Sequence, residues 1–350
     1  MRSTKSPSWT SALSGPSSRS SASAWTSRLL GFDPVPAPPH AFSIDAHRLR
    51  YGQFARDRAG FRMRGWREVS LPPDTFHGGL LGGPLRDPAA FQALVGGMVN
   101  AIGKGLKDAS LVVPDAWLRV TFSEITDIPR QAEARDEVLR WKLRRLVPFR
   151  VDELRVNGVE VEPLPVQEEP RRMLLGFGVE QLLAQLEDAF AAHGVRIGRI
   201  TSSSLALLSA LDFSAASAAS GFAALVQVDA DGYSLIFARG GEPVLHRYKP
   251  FTGGMPESSE AGFVTRDLKL TRNFLDEHFP GSPLGPVLLL APPEAEPLWM
   301  DRLREGLGES TSPVAPIDGR HLPSLRSEDP VAPPWRDLAP MLGAVRQEVA

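Results

Sequence analysis

Residues 222–254, FAALVQVDADGYSLIFARGGEPVLHRYKPFTGG, carry the clearest structural signal in the chain. They contain three apolar runs of strand length, 223–228, 233–238 and 243–248. Asp231-Gly232 separates the first two runs and Gly240-Gly241 the last two, and such pairs between β-prone runs are typical of hairpin turns. The segment therefore predicts a three-stranded antiparallel meander with Asp229 and Asp231 in its first turn.

A second segment, 41–69, has the same design and reads AFSIDAHRLRYGQFARDRAGFRMRGWREV. Asp45 stands in its first turn, and Phe-Ala-Arg occurs late in the second strand of both copies, at 54–56 and 237–239. A helix and an apolar strand follow each meander, at 87–107 and 110–113 and again at 257–278 and 286–290. A repeated unit of this kind indicates a duplication. We expect an α/β protein with two lobes related by pseudo-symmetry.

The segment between the two copies predicts a small α+β subdomain inserted in the first lobe. Its helix begins at Pro129 and must end before Pro148, because the residue before a proline is pushed out of helical geometry. Spacing places the apolar stripe of this helix at Val138, Leu139, Trp141, Leu143 and Leu146. One strand precedes the helix, and two strands, a second helix and a short strand at 195–200 follow it.

The chain divides on these grounds into a tail at 1–38, a first lobe at 39–116, the inserted subdomain at 117–201, and a linker helix with the second lobe at 202–350. The Ser- and Pro-rich tail is predicted to be disordered, and a targeting peptide is the alternative because its composition fits both. A Pro-rich surface loop is expected at 310–335.

Composition excludes several classes of protein. The chain has 350 residues and a net charge of −2, whereas nucleic-acid proteins need a basic face for phosphate. Without cysteine it has no disulfide framework, no thiolate nucleophile and no cysteine-ligated metal. No apolar run reaches the roughly 18 residues that a membrane-spanning helix needs. The sequence also lacks a nucleophile–base pair or a nucleophile elbow, which leaves nucleotide handling as the only chemistry to consider.

Two acid-bearing meanders with an α+β insertion in the first half resemble the actin, Hsp70 and sugar-kinase superfamily, whose lobes have a ribonuclease H-like fold. Three short segments make the resemblance narrower: EVLRW at 137–141, LVPF at 146–149 and VDEL at 151–154. They look like the helix and following segment typical of the PilM family, actin-like cytoplasmic proteins of type IV pilus assembly. The order of elements matches over about residues 40–350.

The resemblance implies a nucleotide site for ATP and Mg²⁺ between the lobes. It places Asp45 in one phosphate loop and Asp229, Asp231 and Gly232 in the other, with Gly253 and Gly254 approaching the nucleotide. Glycines matter in such loops because backbone N–H groups must reach phosphate oxygens without a Cβ in the way. Asp229 and Asp231 would hold the Mg²⁺, usually through water.

The family contacts its nucleotide at four positions: the two phosphate loops, Gly253-Gly254, and a glycine turn beside adenosine. This sequence departs from the family pattern at three of them. Ala46-His47 replaces the glycine and small hydroxyl after Asp45, and Asp231 adds a second acid that would face a triphosphate. Ala291-Pro292-Pro293 stands where glycines approach adenosine, and prolines remove N–H donors. We therefore expect nucleotide binding to be weakened or lost. The alternative for the acids is turn chemistry alone, since Asp is preferred in such turns.

The resemblance further implies a cytoplasmic scaffold beneath the inner membrane, peripheral to it through a partner. That partner is a PilN-like single-span protein, whose cytoplasmic N-terminus would lie in a groove beside the inserted subdomain. Contacts with the pilus motor ATPase and assembly into a ring or homo-oligomer are further implied possibilities. The competing hypotheses are an active Mg-ATP-binding ATPase of the same fold and the cytoplasmic component of a type II secretion platform.

The inserted helix and the residues after it are rich in arginine. Trp141, Arg144 and Phe149 are candidate partner-binding residues here, because aromatic and arginine side chains anchor interfaces. An acidic segment of a partner or anionic lipid headgroups would fit the charge. The alternative is a solvated helix face balanced by its own acids, with Trp141 and Phe149 in the core of the subdomain.

Overall fold

The computed structural model describes residues 37–57, 60–77, 83–129, 131–147, 150–161, 171–211, 222–251, 261–282, 284–307, 314–322, 325–327 and 333–346. Nearly all of the predicted tail lies outside this set, as do three predicted site residues, Phe149, Gly253 and Gly254. No helix in the described part of the chain is long and apolar enough to cross a membrane.

Strands and helices follow the predicted order. The strands are β1 (His40–Ile44), β2 (Arg48–Asp57), β3 (Gly60–Ser70), β4 (Asp108–Val113), β5 (Leu118–Ile125), β6 (Leu154–Val161), β7 (Arg171–Val179), β8 (Arg196–Ser202), β9 (Phe222–Val228), β10 (Gly232–Arg239), β11 (Glu242–Pro250), β12 (Leu284–Leu290), β13 (Val314–Pro316) and β14 (Leu325–Ser327). The helices are α1 (Pro88–Ile102), α2 (Ala132–Arg144), α3 (Glu180–Ala191), α4 (Ser203–Ala210), α5 (Ala261–His278), α6 (Glu296–Leu307) and α7 (Trp335–Arg346).

The two large sheets have equivalent topologies. The first has the order β14-β3-β2-β1-β4-β8 and the second the order β11-β10-β9-β12-β13. In each, the meander pairs antiparallel and the next two strands join in parallel, β4 and β8 in one lobe and β12 and β13 in the other. The predicted duplicated two-lobe architecture is therefore confirmed.

Both meanders close as their turn residues predict. Gly240 and Gly241 have φ angles of 59° and 87°, a left-handed conformation that favours glycine and matches a tight hairpin turn. Each meander also has a register irregularity at or beside its Phe-Ala-Arg, between Gln53 and Phe54 and between Phe237 and Ala238. The shared irregularity supports the duplication.

Each sheet is covered on both faces. In the first lobe, α1 and α3 cover one face around Phe91, Leu186 and Phe190, while α7 covers the other with Leu338 and Met341. In the second lobe, α5 and α6 cover one face, and α4 with the inserted sheet packs on the other. Helix α1 begins as expected, because Asp87 accepts a hydrogen bond from the Ala90 N–H at 2.9 Å.

Helices α4 and α7 are the equivalent elements of the two repeats, and they pack together where the lobes meet. Every described residue of α4 except Ser203 is buried. The approach is so close that a Cβ on Gly343 of α7 would overlap the carbonyl oxygen of Ala206 in α4. This helix pair is therefore a closely packed contact between the two repeats.

The inserted subdomain is smaller than predicted. Strands β5, β7 and β6 form its antiparallel sheet, and α2 covers the outer face through Leu139 and Leu143. Helix α3 and strand β8, which were assigned to the insert within 117–201, pack on α1 and pair with β4 in the first lobe. The sequence pattern identifies a strand but not the sheet that it joins, which explains the error.

The predicted loop at 310–335 is also wrong in part. Within it β13 extends the second sheet beside β12, and β14 returns to the first sheet beside β3. Helix α7 then packs on the first lobe. The C-terminal part of the chain, assigned to the second lobe within 202–350, thus ends on the first. Strands of three residues are too short to show an alternating pattern.

Candidate functional site

The turn after β1 uses the carboxylate of Asp45 within its own lobe. Oxygen Oδ1 accepts hydrogen bonds from the N–H groups of His47 at 2.7 Å and Arg48 at 2.9 Å. Oxygen Oδ2 lies 2.7 Å from the guanidinium of Arg50, which also pairs with Glu68 and with Asp337 of α7. Both oxygens of Asp45 are therefore engaged, as the turn-chemistry alternative requires.

In the equivalent turn after β9, the carboxylate of Asp229 has weaker hydrogen-bond partners than that of Asp45. Among the described residues, the Asp229 carboxylate accepts from the amide of Gln227, at 3.1 Å and 3.4 Å, and that amide also donates to Ser203 Oγ at 2.7 Å. Burial raises the pKa of Asp229 to about 7, and repulsion from Asp115, Asp45 and Asp231 adds to the effect. The acid turns of the two lobes therefore lie near one another, and we call the space between them the cleft. Among the contacts described, Asp229 has no cation beside it comparable to Arg50.

A buried polar cluster joins the lobes at the base of this cleft. Asp115, which follows β4, accepts from the backbone N–H of Ser204 at 2.9 Å through Oδ2 and from its hydroxyl through Oδ1. The hydroxyl must then accept from His246 Nε2 of β11, 3.0 Å away. Because the Asp115 and His246 side chains are both fully buried, each lobe depends on the other to satisfy its polar group.

This cluster has the residue types of a hydrolase triad but not its geometry. In a triad the acid orients the histidine through the ring nitrogen remote from the serine. Here Asp115 bonds the serine, and His246 Nδ1 has no hydrogen-bond partner among the residues that the structure describes. Its full burial also excludes a substrate. The arrangement therefore has a structural role: Asp115 caps α4, and the hydrogen bonds link the two lobes.

Side chains from the insert and the second lobe also occupy the cleft. The guanidinium of Arg119 in β5 lies 5.0 Å from the centre of the Tyr248 ring, and the Tyr248 hydroxyl donates to the Asp231 carbonyl oxygen at 3.2 Å. Burial lowers the pKa of Arg119 and raises that of Tyr248. A ring and a guanidinium therefore stand beside the acidic turn of the second lobe.

The predicted phosphate-loop glycine of this turn is held by packing. A Cβ on Gly232 would overlap the carbonyl oxygen of Lys249 and approach the Tyr248 hydroxyl, so the glycine permits close contact within the meander. Among the described residues, no group of three histidine or acidic side chains is placed to hold a metal ion. The proposed metal pair, Asp229 and Asp231, stays a prediction.

A second candidate site lies between the inserted sheet and the first lobe. A cavity of about 120 Å³ opens there, lined by Leu118, Val120, Arg155, Asn157, Gly176, Leu183, Glu187, Ile197, Arg199, Ile200, Thr201, Ser202 and Leu205. We call it the insert groove. It contains one edge of β8, the last strand in the first sheet, with which no described strand pairs on that side. Such an edge presents unpaired backbone N–H and C=O groups.

Charged side chains border the insert groove. Arg155 is held between Glu180 and Glu187 by hydrogen bonds of 2.7–2.9 Å, which raise its pKa. Arg199 of β8 is nearly buried, and desolvation lowers its pKa to about 10. Arg199 also lines a neighbouring cavity of about 430 Å³ near Pro38 and Lys107, so the two cavities adjoin along β8. Ion pairs of Arg155 therefore hold side chains at the border of the insert groove, and the edge of β8 runs along it.

Two of the three partner-binding residues predicted from the sequence, Trp141 and Arg144, do not line the insert groove. Both belong to α2 and lie on its outer face, opposite the side that packs on the inserted sheet. Trp141 is 50% exposed. The predicted apolar stripe is therefore right for Leu139 and Leu143 but wrong for Trp141 and Leu146, which is 51% exposed.

Sequence reasoning missed the residues that the structure brings together at both sites. Asp115 follows a parallel strand at its carboxyl end, a position where α/β sheets place functional groups, and that signal was available. The serines at 202–204 were interpreted as a helix cap, but Ser202 makes no capping hydrogen bond and Asp115 caps α4 instead. The insert groove depends on the docking of two units and has no local signal.

No family model and no curated protein matches this sequence. Among solved structures, it is similar to a PilM–PilN type IV pilus biogenesis complex, with a TM-score of 0.65, 15% identity, and 91% of this chain and 99% of the other covered. Two further matches are weaker. The cytoplasmic domain of EpsL, an inner membrane component of the type II secretion system of Vibrio cholerae, has a TM-score of 0.45 and 9% identity over 88% and 93% of the chains. A Bacteroides thetaiotaomicron protein with an actin-like ATPase fold has a TM-score of 0.47 and 10% identity over 87% and 96%.

The first of these similarities spans both lobes and the insert, and at its level of identity it bears on the fold. The chain therefore has an actin-like, PilM-like fold.

Proposed function

We propose that this protein is a cytoplasmic scaffold of a type IV pilus or related inner-membrane assembly platform. Its task is to bind the cytoplasmic N-terminus of a PilN-like membrane protein in the insert groove. The proposal rests on the groove itself, where a strand edge without a described neighbour lies beside a cavity between two docked units. The PilM-like fold supports it, because the similar structure is a PilM–PilN complex.

The chemistry of the insert groove fits an extended peptide. A strand edge binds an extended chain through backbone hydrogen bonds, and side-chain pockets beside it give specificity. Leu118, Val120 and Ile197 offer apolar contacts, while Arg199 offers a cation for an acidic or carbonyl group. A peptide bound there would touch both the insert and the first lobe, so binding would fasten one against the other.

Nucleotide binding is proposed to be weak or lost. The carboxylate of Asp45 is engaged by Arg50 and by its own turn, so a magnesium ion would have to displace these contacts. The acids around Asp229 already repel one another, and a triphosphate would add negative charge to them. Attachment to the membrane through the partner, contact with a motor ATPase and assembly into rings belong to the same proposal.

Peptide binding tests the proposal. Fluorescence anisotropy with a labelled N-terminal peptide of a PilN-like membrane protein should give saturable binding. Asn157→Trp fills the groove and Ile197→Arg places a charge in it, and each should weaken binding about tenfold or more. Asn273→Trp is the matched control, because Asn273 is exposed on α5 in the other lobe.

The two groove variants and the control distinguish the possible results of this experiment. Binding that Asn157→Trp and Ile197→Arg reduce and Asn273→Trp leaves unchanged would support the insert groove as the site. Absence of binding by the wild-type protein, or equal binding by all variants, would contradict the proposal. Circular dichroism of each variant checks that the fold is intact.

A further inference from the structure

The outer face of the insert has an exposed apolar pair at the end of α2. Trp141 is 50% exposed and Leu146 is 51% exposed, although the rest of the helix buries its apolar side chains at Leu139 and Leu143. Exposed single apolar residues are common, but a large aromatic ring exposed within a few residues of a leucine is less so. No described segment of the chain covers these two side chains.

Cationic side chains surround this pair. Lys142, Arg144 and Arg145 stand next to it in the sequence, with Arg150 beyond them, whereas Arg140 acts on Glu180 of the first lobe. Arg145 and Lys142 lie over the Trp141 ring, 5.0 Å and 5.5 Å from its centre. We call the pair and these cations the insert patch.

The acids near the insert patch do not neutralise it firmly. Glu133 is in the first turn of α2, and Asp136 and Glu137 follow it in the helix, so Glu137 stands one turn before Trp141 and offsets part of the charge. Arg144 lies 3.7 Å from Asp152, and Arg150 lies 3.0 Å from Glu153, with all four side chains at least 59% exposed. Exposed pairs of this kind contribute little and exchange readily with other anions.

This combination fits a surface of anionic phospholipid. Tryptophan prefers the headgroup level of a bilayer, where its ring is in an apolar layer and its N–H in a polar one. Clustered lysine and arginine side chains are attracted to anionic headgroups, which move laterally to meet them. An acidic peptide fits less well, because cations spread over the exposed end of a helix do not define fixed positions along an extended chain.

We propose that the insert patch docks on anionic membranes, with Trp141 and Leu146 entering the headgroup region and the surrounding cations contacting lipid phosphates. The contact goes beyond the proposed partner peptide and does not depend on it. It would give the protein a weak membrane affinity of its own, and it would orient the outer face of the insert toward the bilayer.

Vesicle co-sedimentation of the full chain tests this contact without any partner peptide. Wild-type protein should sediment with vesicles of mixed phosphatidylglycerol and phosphatidylcholine, but not with phosphatidylcholine alone, and added salt should reduce the bound fraction. Replacing Trp141 by alanine should lower the partition coefficient several-fold, and the double substitution Arg144→Glu, Arg145→Glu should lower it about tenfold or more.

Matched controls are available on the other side of the molecule. Trp335→Ala removes an exposed tryptophan of α7, and Arg304→Glu reverses an exposed arginine of α6. Both should bind vesicles like the wild type. Wild-type protein that stays in the supernatant, equal binding to neutral vesicles, or equal loss in the controls would overturn the proposal. Loss of vesicle binding with peptide binding retained would separate this contact from the proposed function.

Discussion

The turns after β1 and β9 occupy equivalent places in the two repeats, yet they use their acids differently. The carboxylate of Asp45 is satisfied by two backbone N–H groups and by Arg50. That of Asp229 has one shared amide donor, and burial with like charges raises its pKa. The duplicated fold thus keeps two acid turns, of which one stabilises its lobe and the other carries an electrostatic cost.

The difference teaches that a conserved topology does not preserve the chemistry of its loops. The first turn recruits Asp337 of α7 into the same network through Arg50, and so it links the meander to the C-terminal helix. The second turn faces the buried cluster of Asp115, Ser204 and His246 across the cleft. The first turn therefore stabilises the first lobe and its C-terminal helix, and the second lies near the cluster that joins the lobes, so substitutions in either turn should affect stability before any other property.

The largest effect is expected where the equivalent helices of the two repeats meet. Gly343→Ala should destabilise the protein by about 3 kcal/mol or more, because the new Cβ overlaps the backbone of Ala206. Gly97→Ala in α1 is the control, since nothing lies within 4 Å of the added Cβ, and alanine should stabilise that helix slightly. Urea unfolding of both variants measures the difference. Similar stabilities would show that the helices do not pack this closely.

The second-largest loss of stability is expected in the buried cluster of Asp115, Ser204 and His246. Ser204→Ala removes the hydroxyl between Asp115 and His246 and should cost about 2 kcal/mol, because both groups remain buried with a lost hydrogen bond. Ser209→Ala is the matched change in the same helix, where the hydroxyl bonds the Leu205 carbonyl oxygen of its own helix at 3.0 Å. It should cost less. Equal costs in thermal or urea unfolding would argue against a special role for the cluster.

Asp229→Asn should stabilise the protein at alkaline pH. With a pKa raised from 3.8 to about 7, the folded protein keeps a proton that the unfolded chain releases, so stability falls as the pH rises between these values. Asparagine removes this loss. We expect a gain of about 2 kcal/mol at pH about 8 and little change at pH about 4, given about 1.4 kcal/mol per pKa unit and some solvent screening. Urea unfolding across this pH range measures it, and a gain independent of pH would contradict the assignment.

The same substitution in the first repeat should have the opposite sign and the smallest size. Asp45→Asn keeps an oxygen for the turn but loses the charge that pairs with Arg50, which retains Glu68 and Asp337. We expect a loss of about 1 kcal/mol at neutral pH. Stabilisation in both repeats, or destabilisation in both, would show that the two turns are electrostatically alike.

Much of the fold could be predicted because its signals are local or repeated. The alternating runs, the Gly240-Gly241 turn and the second copy at 41–69 together indicated a duplicated α/β protein, and the order of the two sheets confirms it. Assignment of α3 and β8 failed, because a strand pattern does not say which sheet edge it will join. Strands β13 and β14 were missed since they consist of only three residues each.

The candidate sites were predicted less well, for a physical reason. Asp45 and Asp229 were found from turn chemistry and resemblance. They lie near enough for Asp45 to contribute to the raised pKa of Asp229, and their role toward a nucleotide stays a prediction. Asp115, Ser204 and His246 come from three separate segments and meet only when the lobes pack. Helical spacing placed Trp141 on the buried apolar face of α2. That face is narrower than predicted, since it includes Leu139 and Leu143, and the Trp141 ring is exposed. Contacts between units leave no trace in local periodicity.

Calorimetric titration with Mg-ATP most directly tests whether the two acid turns contribute to stability in place of binding nucleotide. We predict no saturable heat for the wild-type protein at micromolar nucleotide, with the fold intact by circular dichroism. The Asp229→Ala variant should behave in the same way. Micromolar binding by the wild type that Asp229→Ala abolishes would contradict this view and would make the protein a nucleotide-binding member of the fold.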